Sequence, residues 1–342
     1  MRKLFFAACM LTLASCNIFK SSSRKNAELH IKYASTITAD ELKTHLYIYS
    51  SDEFEGRNTG EPGQKKAIEY LKNFYVNEKI ASPLGGDDYF QEVPSSYLSR
   101  NAGQYLKSSE NVLAFIKGSE KPDEIVVISA HLDHEGMRNG EIYNGADDDG
   151  SGTVAILEIA QAFKKAAKEG NGPKRSILFL HVTAEEKGLL GSKYYTENPV
   201  FPITNTVTNL NIDMIGRVDD AHKENPNYVY LIGSDKLSTE LHNISEAMNT
   251  KFTKIALDYT YNDDNDPNRF YYRSDHYNFA QYNVPIIFYF NGIHEDYHKP
   301  SDTPDKINYE LLEKRTRLVF HTAWAVANIE ERIVADKAVK SQ

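Results

Sequence analysis

The apolar and polar residues of this chain follow two alternating patterns, one typical of helices and one typical of buried strands. Helical segments repeat their apolar positions with the period of an α-helix, whereas the strand segments are short apolar runs rich in β-branched residues. The helical pattern predicts helices over 39–49, 63–76, 151–168, 236–249, 274–282 and 308–333. The apolar runs predict strands over 111–118, 124–130, 176–184, 206–215, 228–233 and 284–290.

Helices that lie between successive strands imply a sheet that is covered on both faces. We therefore expect an α/β fold: a single three-layer domain with a mixed, mostly parallel sheet and helices on both faces. A chain of 342 residues could hold two average domains. Because no composition shift or internal repeat divides it, we assign residues 31–335 to one catalytic domain and 336–342 to a tail.

The N-terminal segment MRKLFFAACMLTLASC has a pattern of its own. Arg2 and Lys3 precede an apolar run that is too short to span a bilayer, and small residues follow it. This pattern predicts a secretory signal peptide over residues 1–15. The polar segment 16–30 is then expected to be a tether between the membrane and the domain.

The ending Leu13-Ala14-Ser15-Cys16 resembles the bacterial lipobox, in which the cysteine is lipidated and becomes the new N-terminus. We therefore expect a lipid on Cys16 that anchors the protein in the bacterial cell envelope, facing the periplasm or the outer membrane. A plain signal peptide that happens to contain a cysteine is the alternative. With Cys9 removed and Cys16 acylated, the mature fold has no thiol, so a metal would have to be held by His, Asp and Glu.

The charge balance narrows the class of partners. The chain has 39 Lys and Arg residues against 48 Asp and Glu residues, a formal net charge of −9. Nucleic-acid binding depends on neutralising phosphates with basic side chains, so nucleic acid is not an expected partner.

Five polar motifs lie within or next to the predicted strands. Each has an ordinary explanation when it is taken alone: a loop histidine, an acidic helix start, a solvated Glu pair, or a paired buried acid. They are His131-Leu132-Asp133, Asp147-Asp148-Asp149 between glycines, Glu185-Glu186, Asp213, and Tyr297-His298.

Considered together, these motifs indicate a metal site. Ligands bind at the carboxyl ends of strands in α/β sheets, and four strands in order lead to or contain a potential ligand, namely His131, Glu186, Asp213 and His298. Asp148 lies on the turn between the first two. Three carboxylates and two imidazoles suit zinc, cobalt or manganese. Two divalent ions with a bridging hydroxide would balance the three negative charges, so the charge balance favours two metals.

The motifs HLD, GADDDGSG, AEEKGLLGS, NIDMIG, RSDH and YHKPSDT, in this order over residues 129–303, resemble the co-catalytic di-zinc aminopeptidase family. That family includes bacterial leucyl aminopeptidases and aminopeptidase Y and is more distantly related to glutamate carboxypeptidase II. The resemblance implies two zinc ions. It assigns His131 and Asp213 to one ion, Glu186 and His298 to the other, and Asp148 to a bridging position between them.

The resemblance also assigns roles around the metals. It makes Glu185 the general base, places Asp133 behind His131 and Asp275 behind His298, and implies a cis peptide between Asp148 and Asp149. His134 is interpreted as a loop residue rather than a third imidazole ligand. His181 is expected to be a core histidine, and His276 and His294 are not expected to act directly.

The function that follows from the resemblance is hydrolysis of N-terminal peptide bonds by a metal-bound hydroxide, with peptides or small aminoacyl compounds as substrates. One alternative is a single-zinc glutaminyl cyclase on the same scaffold, although those enzymes look tryptophan-rich around the pocket and Trp324 is distant in sequence. The other alternative is a lipoprotein that binds peptides or glycans without catalysis. Loss of a ligand or of Glu185 would indicate it, and all six residues are present.

Overall fold

The computed structural model describes residues 28–338. The expected signal peptide, most of the tether and the last tail residues lie outside the described residues. Residues 28–34 are helical, and His30 is buried with its ring against Phe252. The domain therefore begins slightly earlier than the expected boundary at residue 31, because these tether residues already pack on it.

An eight-stranded mixed sheet forms the centre of the domain, with the strand order β1-β2-β6-β3-β7-β10-β8-β9. The four central strands β6, β3, β7 and β10 are mutually parallel, and β8 joins β10 in the antiparallel sense. Strands β4 and β5 form a separate hairpin. The strands are β1 (Phe90–Val93), β2 (Ser109–Ile116), β3 (Lys121–His131), β4 (Gly136–Arg138), β5 (Glu141–Tyr143), β6 (Arg175–Val182), β7 (Thr206–Ile212), β8 (Tyr228–Ile232), β9 (Ala256–Asp258) and β10 (Ile286–Phe290).

Helices cover both faces of this sheet. Along β3, Val126 and Ile128 belong to the larger apolar cluster, whereas Ile125 and Val127 belong to a second cluster on the opposite face. This alternation is the strand period of two, and it confirms the expected α/β arrangement with helices on both faces. The helices are α1 (Ala39–Tyr49), α2 (Pro62–Asn77), α3 (Ser95–Ala102), α4 (Gly152–Lys168), α5 (Leu190–Glu197), α6 (Thr239–Met248), α7 (His276–Ala280) and α8 (Tyr309–Asn328).

The long elements lie where the sequence pattern predicts them, and the differences concern short elements and ends. The pattern did not predict β1, α3, the β4–β5 hairpin, α5 or β9, which have too few residues for a periodic pattern to stand out. Helix α8 ends at Asn328 rather than at residue 333, and β7 ends at Ile212 rather than at residue 215. Within residues 28–338, none of the helices combines the length and the apolar character needed to cross a membrane.

Candidate metal centre

The ends of four parallel strands bring the expected ligands to one edge of the sheet. His131 is the last residue of β3, and Asp213 immediately follows β7. Glu186 lies in the turn after β6, and His298 lies in the loop after β10. Asp148 joins them from the turn that precedes α4. The structure thus places all five residues around a single centre.

Asp148 lies between two groups of potential ligands. Its Oδ1 is 3.1 Å from Nε2 of His131, whereas its Oδ2 is 3.0 Å from Nε2 of His298. On the first side, Oδ1 of Asp213 is 3.6 Å from Nε2 of His131. On the second side, Oε2 of Glu186 is 3.3 Å from Nε2 of His298. One carboxylate therefore offers one oxygen to each of two donor groups.

The electrostatics of this centre fit divalent cations. Among residues 28–338, neither Asp148, Glu186 nor Asp213 has an ion pair with a Lys or Arg side chain, and buried Oδ2 of Asp148 and Oε1 of Glu186 have no hydrogen-bond partner. Burial lowers the pKa of His298, but contacts with Asp148 and Glu186 overcome this and raise it to about 10. The site attracts positive charge, and His, Asp and Glu are donors that suit zinc.

Asp133 has a different role from the one expected. Its backbone oxygen, not its carboxylate, lies 3.0 Å from Nδ1 of His131. The carboxylate accepts hydrogen bonds from Thr59 Oγ1 at 2.8 Å and from the backbone N–H of Glu185 at 3.1 Å. The loop after β3 directs this carboxylate toward the segment that follows β6, and not toward the His131 ring. Asp133 therefore fixes both the His131 ring and the Glu185 backbone.

Asp275 does not lie behind His298. Its Oδ1 accepts a hydrogen bond from the hydroxyl of Ser192, and among the described residues no hydrogen bond or ion pair joins it to His298. Oε1 of Glu135 lies 3.7 Å from Nδ1 of His298. Asp275 immediately precedes α7 and contacts Ser192, whereas the residue before it, Ser274, contacts Asp213.

Ser274 is a further residue that the sequence did not assign. Its hydroxyl donates a hydrogen bond of 2.7 Å to Oδ2 of Asp213, which leaves Oδ1 facing His131. Partners of this kind orient metal ligands. The position of Ser274 in the RSDH motif and that of Glu135 directly after HLDH could have marked both residues as neighbours of the centre. Neither position reveals which side chain each residue contacts.

The three adjacent acids of the turn before α4 have three separate roles. Asp147 and Asp148 donate their backbone N–H groups to the carboxylate of Asp302, which holds the turn in place. Asp149 is buried, and its carboxylate accepts the backbone N–H groups of His131 at 3.2 Å and Met214 at 3.1 Å. The peptide between Asp148 and Asp149 is cis, as the resemblance implied. Of the three acids, only Asp148 has its carboxylate close to the rings of both His131 and His298.

His134 lies in the loop after β3, as interpreted, but that loop is not a solvated one. Its side chain is fully buried, with Nδ1 2.9 Å from Oε1 of Glu186 and 3.7 Å from Oδ2 of Asp148. His181 is a core histidine, as expected, and contacts the Tyr75 hydroxyl at 2.6 Å, whereas His294 lies 3.2 Å from Asp147. The turn after Asp133 brings His134 inward, which a linear spacing does not predict.

Glu185 opens onto a pocket beside the centre. Asp148, Asp213 and His298 line this pocket with it, and Tyr297 and six other side chains complete the lining. Burial and the neighbouring Glu186, against the opposing effect of His131, raise the pKa of Glu185 well above its ordinary value. Five of these six side chains are apolar, and the sixth is that of Arg273; the apolar ones are Met214, Phe270, Phe288, Phe290 and Ile293.

Several proteins of known sequence resemble this chain. A probable leucine aminopeptidase of Trichophyton verrucosum is 30% identical over 302 residues, which covers 85% of this chain and 74% of that protein. Leupeptin-inactivating enzyme 1 of Streptomyces exfoliatus is 24% identical over 322 residues, covering 88% of this chain and 61% of that protein. Aminopeptidase NAALADL1 of Rattus norvegicus is 38% identical over 111 residues, but this segment spans only 14% of that longer protein. The chain thus spans less than two thirds of two of these relatives.

Solved structures share the fold. The LapA aminopeptidase of Legionella pneumophila superimposes with a TM-score of 0.68 at 21% identity, covering 89% of this chain and 75% of that one. The zinc aminopeptidase BSAP of Bacillus subtilis gives a TM-score of 0.65 at 16% identity, covering 89% and 99%. At these identities the likeness supports the fold alone. The model of peptidase family M28 matches residues 111–323, a segment that contains the whole metal centre, and the chain therefore belongs to peptidase family M28.

Proposed function

We propose that the protein is an aminopeptidase that uses two divalent metal ions, most naturally zinc, to hydrolyse N-terminal peptide bonds. One observation carries this proposal: the two oxygens of Asp148 face two separate sets of donors, at 3.1 Å from His131 and 3.0 Å from His298. The names of the relatives and of the structures with the same fold, which include leucine and zinc aminopeptidases, support it.

The residues that would hold the metals follow from the two sets of donors. His131 and Asp213 would bind one ion, Glu186 and His298 the other, and Asp148 both. Two ions in such a site polarise the scissile carbonyl and lower the pKa of a nucleophilic water molecule. Cobalt or manganese would suit the same donors.

Glu185 is the residue of this chain that would move the proton. It lines the same pocket as Asp148 and Asp213, and its raised pKa suits a carboxylate that accepts a proton from water and donates it to the leaving amine. The hydrogen bond from its backbone N–H to Asp133 holds it in place. Its neighbour Glu186 has a different task because its carboxylate faces His298.

The pocket is suited to the end of a peptide with an apolar first side chain. The phenylalanines at 270, 288 and 290 would surround that side chain, and the surplus of carboxylates beside it would favour a free α-amine. We expect peptides and small aminoacyl compounds as substrates.

A combined assay of metal content and product formation tests the proposal. Purified protein should contain two zinc ions per chain and release amine from aminoacyl-nitroanilides. One zinc per chain with cyclisation of an N-terminal glutamine would indicate the cyclase instead. Its tryptophan-rich pocket has no counterpart here, because Trp324 packs in α8 against Tyr33 and Phe163. Peptide binding with no turnover would indicate a non-catalytic binding protein.

We also propose that the protein is a lipid-anchored protein of the bacterial cell envelope, exposed to the periplasm or on the outer membrane. The support is the segment Leu13-Ala14-Ser15-Cys16, which lies outside the described residues. Mass spectrometry of the mature protein should find an acylated Cys16 at its N-terminus. A Cys16→Ala variant that remains in the membrane fraction would contradict the proposal.

A further inference from the structure

His134 is the one buried histidine at the centre that the resemblance leaves without a role. We propose that Nδ1 of His134 is an additional ligand of the metal bound by Glu186 and His298. This inference rests on the proposed two-metal function and adds a sixth metal ligand to the five already assigned.

The position of the His134 ring supports this inference. Nδ1 lies 2.9 Å from Oε1 of Glu186 and 3.7 Å from Oδ2 of Asp148, and the ring meets the His298 ring edge to face at 5.7 Å. His134, Asp148 and Glu186 each offer an atom to a group whose members all lie within 4.8 Å of one another, as the ligands of one ion do.

The atoms around His134 that lack hydrogen-bond partners also support the inference. Although Nδ1 and Oε1 of Glu186 are close, their directions do not make a hydrogen bond, and among residues 28–338 neither atom has another hydrogen-bond partner. Oδ2 of Asp148 likewise has no hydrogen-bond partner in spite of its 3.0 Å distance from His298. Buried polar atoms are rarely left unpaired, and a shared cation would satisfy all three.

The surrounding backbone fixes the ring in this place. The N–H of His134 donates to the backbone oxygen of Arg57 at 3.3 Å, and the guanidinium of Arg57 donates to the oxygen of Gly145 at 2.9 Å. Gly145 has a φ of 53°, and a Cβ there would lie 2.5 Å from Cγ of His134. Only a residue without a side chain leaves room for the imidazole.

The additional ligand would make the two metal positions unequal. The position at Glu186 would have two imidazoles and two carboxylates, whereas the position at His131 would have one imidazole and two carboxylates. A position with more protein ligands holds its ion more firmly, and the other keeps more room for water and substrate. We therefore expect the first zinc removed by a chelator to come from the position of His131 and Asp213.

X-ray absorption of the one-zinc form of the mature protein tests the inference without relying on activity. The spectrum of the unmodified protein should show two imidazoles on the remaining zinc. His134→Gln should show one imidazole and hold that zinc at least ~10-fold more weakly, because even partners outside the ligand set contribute ~10–100-fold to metal affinity. His181→Gln is the matched control, since His181 is equally buried but contacts Tyr75, and it should retain two imidazoles.

A single imidazole on the remaining zinc of the unmodified protein would overturn the inference, and so would an unchanged zinc affinity in His134→Gln. If His134→Gln does not fold, the number of imidazoles in the spectrum of the unmodified protein still tests the inference. Either negative result is compatible with a two-zinc protein that cleaves aminoacyl-nitroanilides, in which case the proposed function stands. Unmodified protein that binds no zinc and cleaves none of these substrates would instead contradict the proposed function itself.

Discussion

Replacement of Glu185 by glutamine should abolish most of the turnover while leaving the metal centre intact. The change replaces one carboxylate oxygen with an NH2 group and keeps the size of the side chain. The hydrogen bond between the Glu185 backbone and Asp133 is unaffected, and none of the proposed ligands is touched. The variant should therefore fold, bind zinc and bind substrate as the unmodified protein does.

The expected loss follows from the proposed role of this carboxyl group. Its raised pKa is what allows it to take a proton near neutral pH, and glutamine cannot take one. General acid–base catalysis contributes ~10²–10⁴-fold to a rate, which corresponds to about 3–5 kcal/mol in the activation barrier. We expect kcat on an aminoacyl-nitroanilide to fall by that factor, with a nearly unchanged KM.

Glu186→Gln is the matched comparison, because it makes the same chemical change one residue away. It should lose zinc and activity together, since Glu186 faces His298 at 3.3 Å. If Glu185→Gln loses zinc and Glu186→Gln retains it, the two roles are reversed. If Glu185→Gln keeps near-normal turnover, the proposed mechanism is refuted.

Three further predictions concern the centre and the core. Asp148→Asn should reduce the affinity for both metals, and zinc analysis of the dialysed variant would contradict its bridging role if two ions per chain remain. Ser274→Ala should weaken zinc binding ~10–100-fold at the Asp213 position only, because it removes the hydrogen bond that orients Asp213. A stepwise chelator titration measures this, and a first zinc ion that leaves the variant at the same chelator concentration as it leaves the unmodified protein would contradict the prediction. Burial, with a smaller effect of Glu41, raises the pKa of Glu158 from 4.5 to about 8. Because the folded state then binds a proton that the unfolded state has lost, this residue should reduce stability as pH rises from about 4.5 to 8, by at most about 5 kcal/mol. Glu158→Gln should consequently raise the melting temperature at pH 8 and change it much less at pH 4.5, and an equal shift at both values would contradict the assignment.

The sequence predicts the central sheet and the coming together of the five proposed ligands because both depend on strong local patterns. Apolar runs identify β3, β6, β7 and β10, and polar residues at their carboxyl ends must meet at one edge of a parallel sheet. Asp213 is the clearest case, since an acid that closes an apolar strand requires a partner. The short elements, such as β9 and the β4–β5 hairpin, have too few residues to display a period.

The contacts behind the ligands could not be predicted from spacing. The direction of the chain after β3 decides that Asp133 offers its backbone oxygen to His131 and that His134 turns inward. A turn changes the directions of neighbouring side chains within one or two residues. The sequence of a motif such as HLDH therefore does not reveal which of its side chains face the metal centre. Glu135 rather than Asp275 lies close to His298 for the same reason, because loops from different strands set the surroundings of that histidine.

Anomalous diffraction at the zinc edge from crystals of the zinc-loaded protein tests the central claim most directly. The proposed function predicts two zinc peaks per chain, one beside His131 and Asp213 and the other beside Glu186 and His298. They should lie ~3.5–4 Å apart with the Asp148 carboxylate between them, the spacing of co-catalytic metal sites. A single peak in fully loaded protein, or an Asp148 side chain turned away from both histidines, would contradict the two-metal account.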